Sequence, residues 1–316
     1  MATAVTPSVH DSKILLEAGT NEVEILVFKV ADRYCGVNVA KVREVRTHES
    51  ATHLPQAPNA MDGVVRLRNA VIPLIDLEQV LWNTTTGGAE GKTEQHLILE
   101  FNDQTIAFRV QGVDRIYRVS WQRFIPLPRC PGMDAPVTGV ILIEGRIVTI
   151  LDFEAIGLTF GMNGVPPEAA QIDPTCSIDL QHPPIFFADD SPLIRKMLDN
   201  ALSQAGYQKR QGFADGLEAW QCLEQLAQEH TAETIRSVCA GVVSDIEMPR
   251  MDGFTLTRKI RDNLVLKDLP VVLFSSLISK DNEKKGMQVG ATAQVSKPRW
   301  EDLSTTLMDA IGEVVG

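Results

Sequence analysis

At 316 residues, with 44% hydrophobic and 22% charged side chains, the chain has the balance of a globular protein and the length for two cores. Its 30 lysines and arginines stand against 41 aspartates and glutamates. The resulting net charge of −11 offers no basic face for a nucleic-acid backbone or an anionic membrane, so neither is expected as a partner.

Cys35, Cys130, Cys176, Cys222 and Cys239 are odd in number and form no C-x-x-C pair, which predicts reduced, packed thiols rather than disulfides or zinc ligands. The first twenty residues lack a charged segment followed by an apolar core, and nowhere do about 18 apolar residues run together. A cytoplasmic location without membrane insertion is expected.

Residues 1–21 read as a polar tail carrying a short helix, Lys13 to Ala18, capped by Asp11-Ser12 and stopped by Gly19. From Glu22 the pattern alternates, with Ile25 and Val27, then Cys35, Val37 and Val39, spaced by two. This predicts antiparallel strands, interrupted by a proline-marked loop at Leu54 to Pro58. His48 and His53, with no cysteine or acid cluster nearby, read as solvated loop histidines.

The segment Gly63 to Glu78 then recurs as Gly139 to Glu154 at a constant offset of 76, with glycine, aspartate and glutamate coinciding. Asp32 to Val45 recurs as Asp103 to Ile116 at an offset of 71. Two units are too few for a solenoid and predict two small β-barrels packed face to face. Between the units lies an exposed loop, Asn83 to Thr93. Its end, Gly87 to Thr93, imitates a phosphate-binding loop, but Thr86 stands where the first glycine belongs and no buried strand leads in, so nucleotide binding is rejected.

Residues 161–183 are proline-rich and aperiodic and read as a linker. Beyond it, four short apolar segments end in chemistry. Ile185 to Ala188 ends in Asp189-Asp190, Val242 to Ser244 in Asp245, Val271 to Phe274 in Ser275-Ser276, and Ala293 to Ser296 in Lys297-Pro298. Helical patterns fall between and after them, at Pro192 to Ala205, Gly216 to Ala227, Phe254 to Asp262, Ser279 to Val289 and Glu301 to Ile311. Alternating strands and helices require a parallel, right-handed, doubly wound sheet, with ligands at the carboxyl ends of its strands. Three carboxylates gathered there need a cation, and hard oxygen donors suit Mg²⁺. Asp245 could then attack a phosphoryl group whose oxygens Lys297 and Ser275 hold. A phosphatase of the haloacid dehalogenase class would want a second aspartate two residues after the nucleophile, where Glu247 stands, so that enzyme is disfavoured.

The order Asp-Asp, Asp-x-x-x-Pro-x-x-Asp-Gly, Ser-Ser, Lys-Pro resembles the receiver domain of response regulators over residues 184–316. That resemblance implies a flavodoxin-like (βα)₅ fold and an aspartyl phosphate on Asp245. It further implies Mg²⁺ held directly by Asp190 and Asp245, through water by Asp189, and by the backbone carbonyl of Glu247, with a cis Lys297–Pro298 bond. Receivers of the single-domain kind carry a switch aromatic three residues before the lysine; here that place is Gln294.

The stretch Glu22 to Leu158, within an expected domain of residues 22–160, resembles the CheW-like domain through Tyr34 to Val37, Lys41 to Val45, Leu54 to Pro58, Gly63 to Asn69 and Val71 to Leu77. The resemblance implies an all-β pair of SH3-like barrels that bridges chemoreceptor tips to the histidine kinase CheA without catalysis of its own. Val39, Val42 and Arg68 match its receptor-contacting positions. Val39 fits a core position equally well, and Arg68 would otherwise be an ordinary solvated arginine. Asn69 replaces the glycine usual after the arginine and is expected to take up the left-handed turn. A CheW-like domain followed by a receiver is the CheV-type arrangement, which implies a chemotaxis coupling adaptor regulated by phosphorylation of Asp245. The alternative is a phosphotransfer sink that drains phosphoryl groups from CheA.

Overall fold

The computed structural model describes residues 22–84, 94–101, 104–127, 135–161, 183–276 and 280–312. The expected helix at Lys13 to Ala18, the Gly87 to Thr93 imitation, Cys130, Cys176 and nearly all of the linker lie outside them.

The first domain contains β1 (Glu22–Val30), β2 (Arg33–Asn38), β3 (Val42–Thr47), β4 (Met61–Leu67), β5 (Ala70–Asp76), α1 (Leu77–Trp82), β6 (Gln95–Phe101), β7 (Gln104–Val110), β8 (Gly112–Ser120), β9 (Phe124–Pro126), β10 (Val137–Ile143), β11 (Arg146–Leu151) and α2 (Phe153–Thr159). They form two sheets, ordered β3-β6-β7-β5-β4 and β8-β1-β2-β11-β10-β9. Each sheet borrows a hairpin. β1-β2 from the first sequence unit sits among the strands of the second, and β6-β7 does the reverse. The parallel pairs β5-β7 and β11-β2 mark the two seams.

This exchange explains why β1 is apolar on both faces. Ile25 and Val27 fill the interior of one barrel, while Leu26 and Phe28 join Ile75, Leu97, Phe108 and Phe153 in the core between the barrels. Plain in-out alternation does not hold for a strand covered on both sides.

Three expectations are corrected here. Val39 is not in a strand but opens a single 3₁₀ turn, Val39–Lys41, capped by the Asn38 side chain, which accepts from the Ala40 amide at 3.0 Å. Arg68 itself, at φ 54°, takes the left-handed position of the β4-β5 turn in place of Asn69. His48 is not merely solvated: its Nδ1 lies 3.1 Å from Nε2 of buried His96.

The second domain alternates β12 (Ile185–Ala188), α3 (Pro192–Gln204), β13 (Arg210–Phe213), α4 (Gly216–Glu229), β14 (Gly241–Ser244), α5 (Gly253–Asp262), β15 (Val271–Ser275), α6 (Lys280–Gln288), β16 (Ala293–Ser296) and α7 (Trp300–Gly312). Its parallel sheet runs β13-β12-β14-β15-β16. β12, β14 and β15 are buried along their whole length because helices cover both faces. One layer packs α3 and α7 on the sheet around Leu198, Leu202, Phe274 and Leu307; the other packs α4 and α5 around Leu223, Val242 and Leu256. Leu158 of α2 lies against the first of these cores, so the two domains are in contact.

Candidate functional site

The parallel register delivers the acidic residues to one edge. The Asp245 amide donates to the Ala188 carbonyl at 2.9 Å, which sets the ends of β14 and β12 side by side, and the Asp189 amide donates to the Phe213 carbonyl at 3.2 Å, which ties β12 to β13. Carboxylate oxygens of Asp189, Asp190 and Asp245 all lie within 4.8 Å of one another. From β16, beyond a cis Lys297–Pro298 bond, Lys297 places Nζ 2.7 Å from Asp189 Oδ2 and 3.2 Å from Asp245 Oδ2. Ser275, fully buried, ends β15 and accepts the Lys297 amide on its carbonyl at 3.0 Å.

The loop after Asp245 is held tightly. A Cβ on Gly253 would lie 2.1 Å from the Asp245 carbonyl oxygen, so only glycine permits this closure. Arg250 clamps the loop to Asp215 and, at 2.8 Å, to Glu218.

Burial and mutual repulsion dominate the electrostatics. Burial pushes the Asp189 carboxyl up to about 7; Lys297 opposes this, and Asp245 and Glu154 reinforce it. Asp190 is pushed well above the carboxylate range by burial and by Asp189. Burial works against the charge of Lys297, but Asp189, Asp245 and Glu154 hold its ammonium well above its ordinary value. Three hard carboxylates so close, with one lysine against them, form a donor set that Mg²⁺ fits.

The site has a second wall, which comes from the first domain. Glu154, in the first turn of α2, accepts from Lys297 Nζ on Oε2 at 3.3 Å and from Ser276 Oγ on Oε1 at 2.8 Å. Lys41, from the 3₁₀ turn, donates to the same Oε1 at 2.8 Å and lies 3.8 Å from Glu247 Oε2, while Asn38 Nδ2 donates to Glu247 Oε1 at 3.2 Å. Asp152 caps α2 through the Ala155 amide at 2.9 Å and is hydrogen-bonded to the Ser191 side chain.

Glu154, 3% exposed, is as buried as Asp245, also 3%. Its burial alone would raise its carboxyl, but Lys297 and Lys41 hold it well below the usual range. Burial pushes Glu247 up to about 7, with Lys41 opposing.

Residues 24–158 match the CheW-like domain family and residues 185–308 the response regulator receiver domain family. "Chemotaxis protein CheV3" of Helicobacter pylori is 28% identical over 290 residues, spanning 88% of this chain and 91% of its own length. "Chemotaxis protein CheV1" of the same organism is 26% identical over 302 residues, 90% of this chain and 91% of its own. "Chemotaxis protein CheW" of Rhizobium meliloti is 30% identical over 137 residues, 42% of this chain and 86% of its own. The chain belongs to the CheV-type proteins. A CheV-type chain is a chemotaxis coupling adaptor, a CheW-like domain with SH3-like sheets joined to a phosphorylatable flavodoxin-like receiver.

In this CheV-type chain the structure gathers Asp189, Asp190, Asp245, Ser275 and Lys297 at one sheet edge, and Glu247 lies at their border. Val39 and Val42 are half-buried against the core between the barrels, on either side of Lys41. Arg68 is exposed on the β4-β5 turn and pairs with Glu44 at 3.8 Å. Gln294 donates to the Glu283 carbonyl at 2.7 Å, and its amide fills the space where Gly286 lacks a side chain.

Sequence reasoning missed Glu154, Lys41 and Asn38 as site residues and named Ser276 only within the Ser275-Ser276 pair, without a role of its own. For Glu154 the only trace was its coincidence with Glu78 in the repeat. No helix among the described residues is long and apolar enough to cross a membrane.

Proposed function

We infer that this CheV-type adaptor is controlled by a phosphoryl group on Asp245. The observation carrying this is the convergence of Asp189 and Asp190 after β12, Asp245 after β14 and Lys297 after β16, with carboxylate oxygens within 4.8 Å of one another and Lys297 Nζ 2.7 Å from Asp189 and 3.2 Å from Asp245. An Asp245 carboxylate oxygen attacks the phosphorus of a phosphohistidine, forming the O–P bond as the P–N bond breaks. The imidazole leaves with the electron pair and is reprotonated by solvent. Lys297 and Ser275 hold the transferring oxygens.

Mg²⁺ would be held by Asp190 and Asp245, by Asp189 through water and by the Glu247 backbone carbonyl; when bound, it supplies charge neutralisation for the phosphoryl oxygens. The coupling half, residues 22–160, would link chemoreceptor cytoplasmic tips to CheA through Val39, Val42 and Arg68, and the receiver, residues 184–316, would control it from the cytoplasmic side. A phosphotransfer sink needs its pocket permanently open to the kinase. The seat of Glu154 against Lys297 speaks for controlled access instead.

Asp245→Asn tests the assignment, since an amide is a far weaker nucleophile and metal ligand than a carboxylate. Labelling by radioactive phospho-CheA should fall to below about 1% of wild type. Undiminished labelling would sink the reading.

A further inference from the structure

The oxygens of a phosphoryl group on Asp245 would need the Lys297 ammonium and the hydroxyls at the end of β15, and one carboxylate already occupies that set. Glu154 sits 3.3 Å from Lys297 Nζ and 2.8 Å from Ser276 Oγ, while Asp245 is 3.2 Å from the same Nζ. Lys297 thus lies between the attacking carboxylate and a carboxylate from the other domain.

The seat is built from several directions. Asp152 fixes the first turn of α2, Leu158 anchors its far end on the receiver core, and Lys41 bonds the outer face of Glu154. The cluster contains six carboxylates, Asp152, Glu154, Asp189, Asp190, Asp245 and Glu247, facing Lys41 and Lys297, with Arg195 donating to the Asp189 carbonyl at 2.5 Å. Geometry closes the pocket, and a dianionic phosphoryl group at Asp245 would find Glu154 standing on its lysine.

We propose that Glu154 is a built-in occupant of the phosphoryl pocket: seated, it excludes the phosphodonor, and phosphorylation of Asp245 expels it together with α2 and the Lys41 turn. The proposal rests on reading Asp245 as the phosphoacceptor and adds the regulation of that site by the CheW-like domain. It assigns the two domains one closed and one open arrangement. The receiver's output is then the release of its own coupling domain, without a newly formed face around Gln294.

The test uses the full chain with acetyl phosphate and Mg²⁺, a small donor that reports access to the pocket rather than docking of a kinase. Glu154→Ala should raise the initial rate of Asp245 labelling about tenfold, as expected when roughly one molecule in ten is open. Glu78→Ala, the same position in the other repeat, should leave the rate within about twofold of wild type. Glu154→Gln guards against misfolding: with an unfolding midpoint equal to wild type it should still label faster, because a neutral amide competes less well for Lys297. In the wild-type chain, beryllofluoride should increase hydrogen exchange at residues 153–159 and 39–42. Unchanged labelling in folded Glu154→Ala and Glu154→Gln, or unchanged exchange with beryllofluoride, overturns the proposal. Were Asp245→Asn still labelled, the phosphoacceptor reading itself would fall; a dead Asp245→Asn beside unaltered Glu154 variants removes only the occupant.

Discussion

The hairpin and helix β4-β5-α1 and their copy β10-β11-α2 end in the same two acids, Asp76 and Glu78 in one and Asp152 and Glu154 in the other, yet these acids meet different partners. In the first copy β5 runs parallel to β7, with Asp76 opposite Arg109, whose guanidinium binds Asp76, Asp62 at 2.6 Å and Glu94 at 3.1 Å. Glu78 accepts from neutral Gln111 at 3.3 Å. In the second copy β11 runs parallel to β2 in the same register, Ile150 opposite Gly36 as Leu74 is opposite Ala107, but Asn38 occupies the place of Arg109. Without an arginine opposite it, Asp152 turns to Ser191, and Glu154 to Lys41 of its own domain and Lys297 of the receiver. Two differences, Asn38 for Arg109 and Lys41 for Gly112, go with a first copy closed on itself and a second that shares its glutamate with the receiver. A duplicated scaffold is two-sided because its cation stands at a different place in each copy.

The largest effect should come from removing the charge that closes the first unit. Arg109→Ala leaves buried Asp76 unpaired, with Asp62 and Glu94 beside it, and should cost about 3 kcal/mol in urea unfolding, somewhat below a fully buried pair because the arginine is partly exposed. A loss under about 0.5 kcal/mol, the range of an ordinary surface substitution, would mean that the unit is not held by this ion cluster.

The two hairpin turns offer the next comparison, since Arg68 and Glu144 occupy equivalent places and both take positive φ. Arg68→Asp should weaken binding to a receptor cytoplasmic fragment about tenfold, or ~1.4 kcal/mol, while Glu144→Lys stays within about twofold and Asp245 labelling is unaffected in both. Equal losses from both turns would erase the distinction between them.

The smallest effect concerns the helix caps. Asp152→Ala removes the cap of α2 and its tie to Ser191, and should lower stability by about 1 kcal/mol in calorimetry of the intact chain. No measurable loss would show that the helix start is held by its packing alone.

The receiver was legible because its chemistry follows its strands. β12, β14 and β15 are buried runs with their functional residues at the ends, and Ser191, Asp215 and Asp252 announce the helices that follow by capping them. β13 was hidden for the opposite reason: at the sheet edge Phe213 is its one buried residue, so Arg-Gln-Gly-Phe carries no apolar run. The repeat in the CheW-like domain showed which residues are equivalent, but equivalence is silent on whether a hairpin pairs within its own unit or in the other. The Glu154–Lys297 bond spans 143 residues and two domains, and no local periodicity encodes such a meeting. His48 with His96 is the same kind of omission at shorter range.

The turn Val39–Lys41 gives this arrangement a thermodynamic property. Its lysine faces the receiver pocket, while Val39 and the adjoining Val42 are the positions proposed to meet a receptor. A receptor that engages only the freed turn and a phosphoryl group that frees it are then linked through one coupling free energy. By reciprocity, the factor by which phosphorylation tightens receptor binding equals the factor by which receptor binding favours phosphorylation. Three residues would thereby make the adaptor a two-way device, in which the occupancy of the receptor array sets how readily its own regulator is charged.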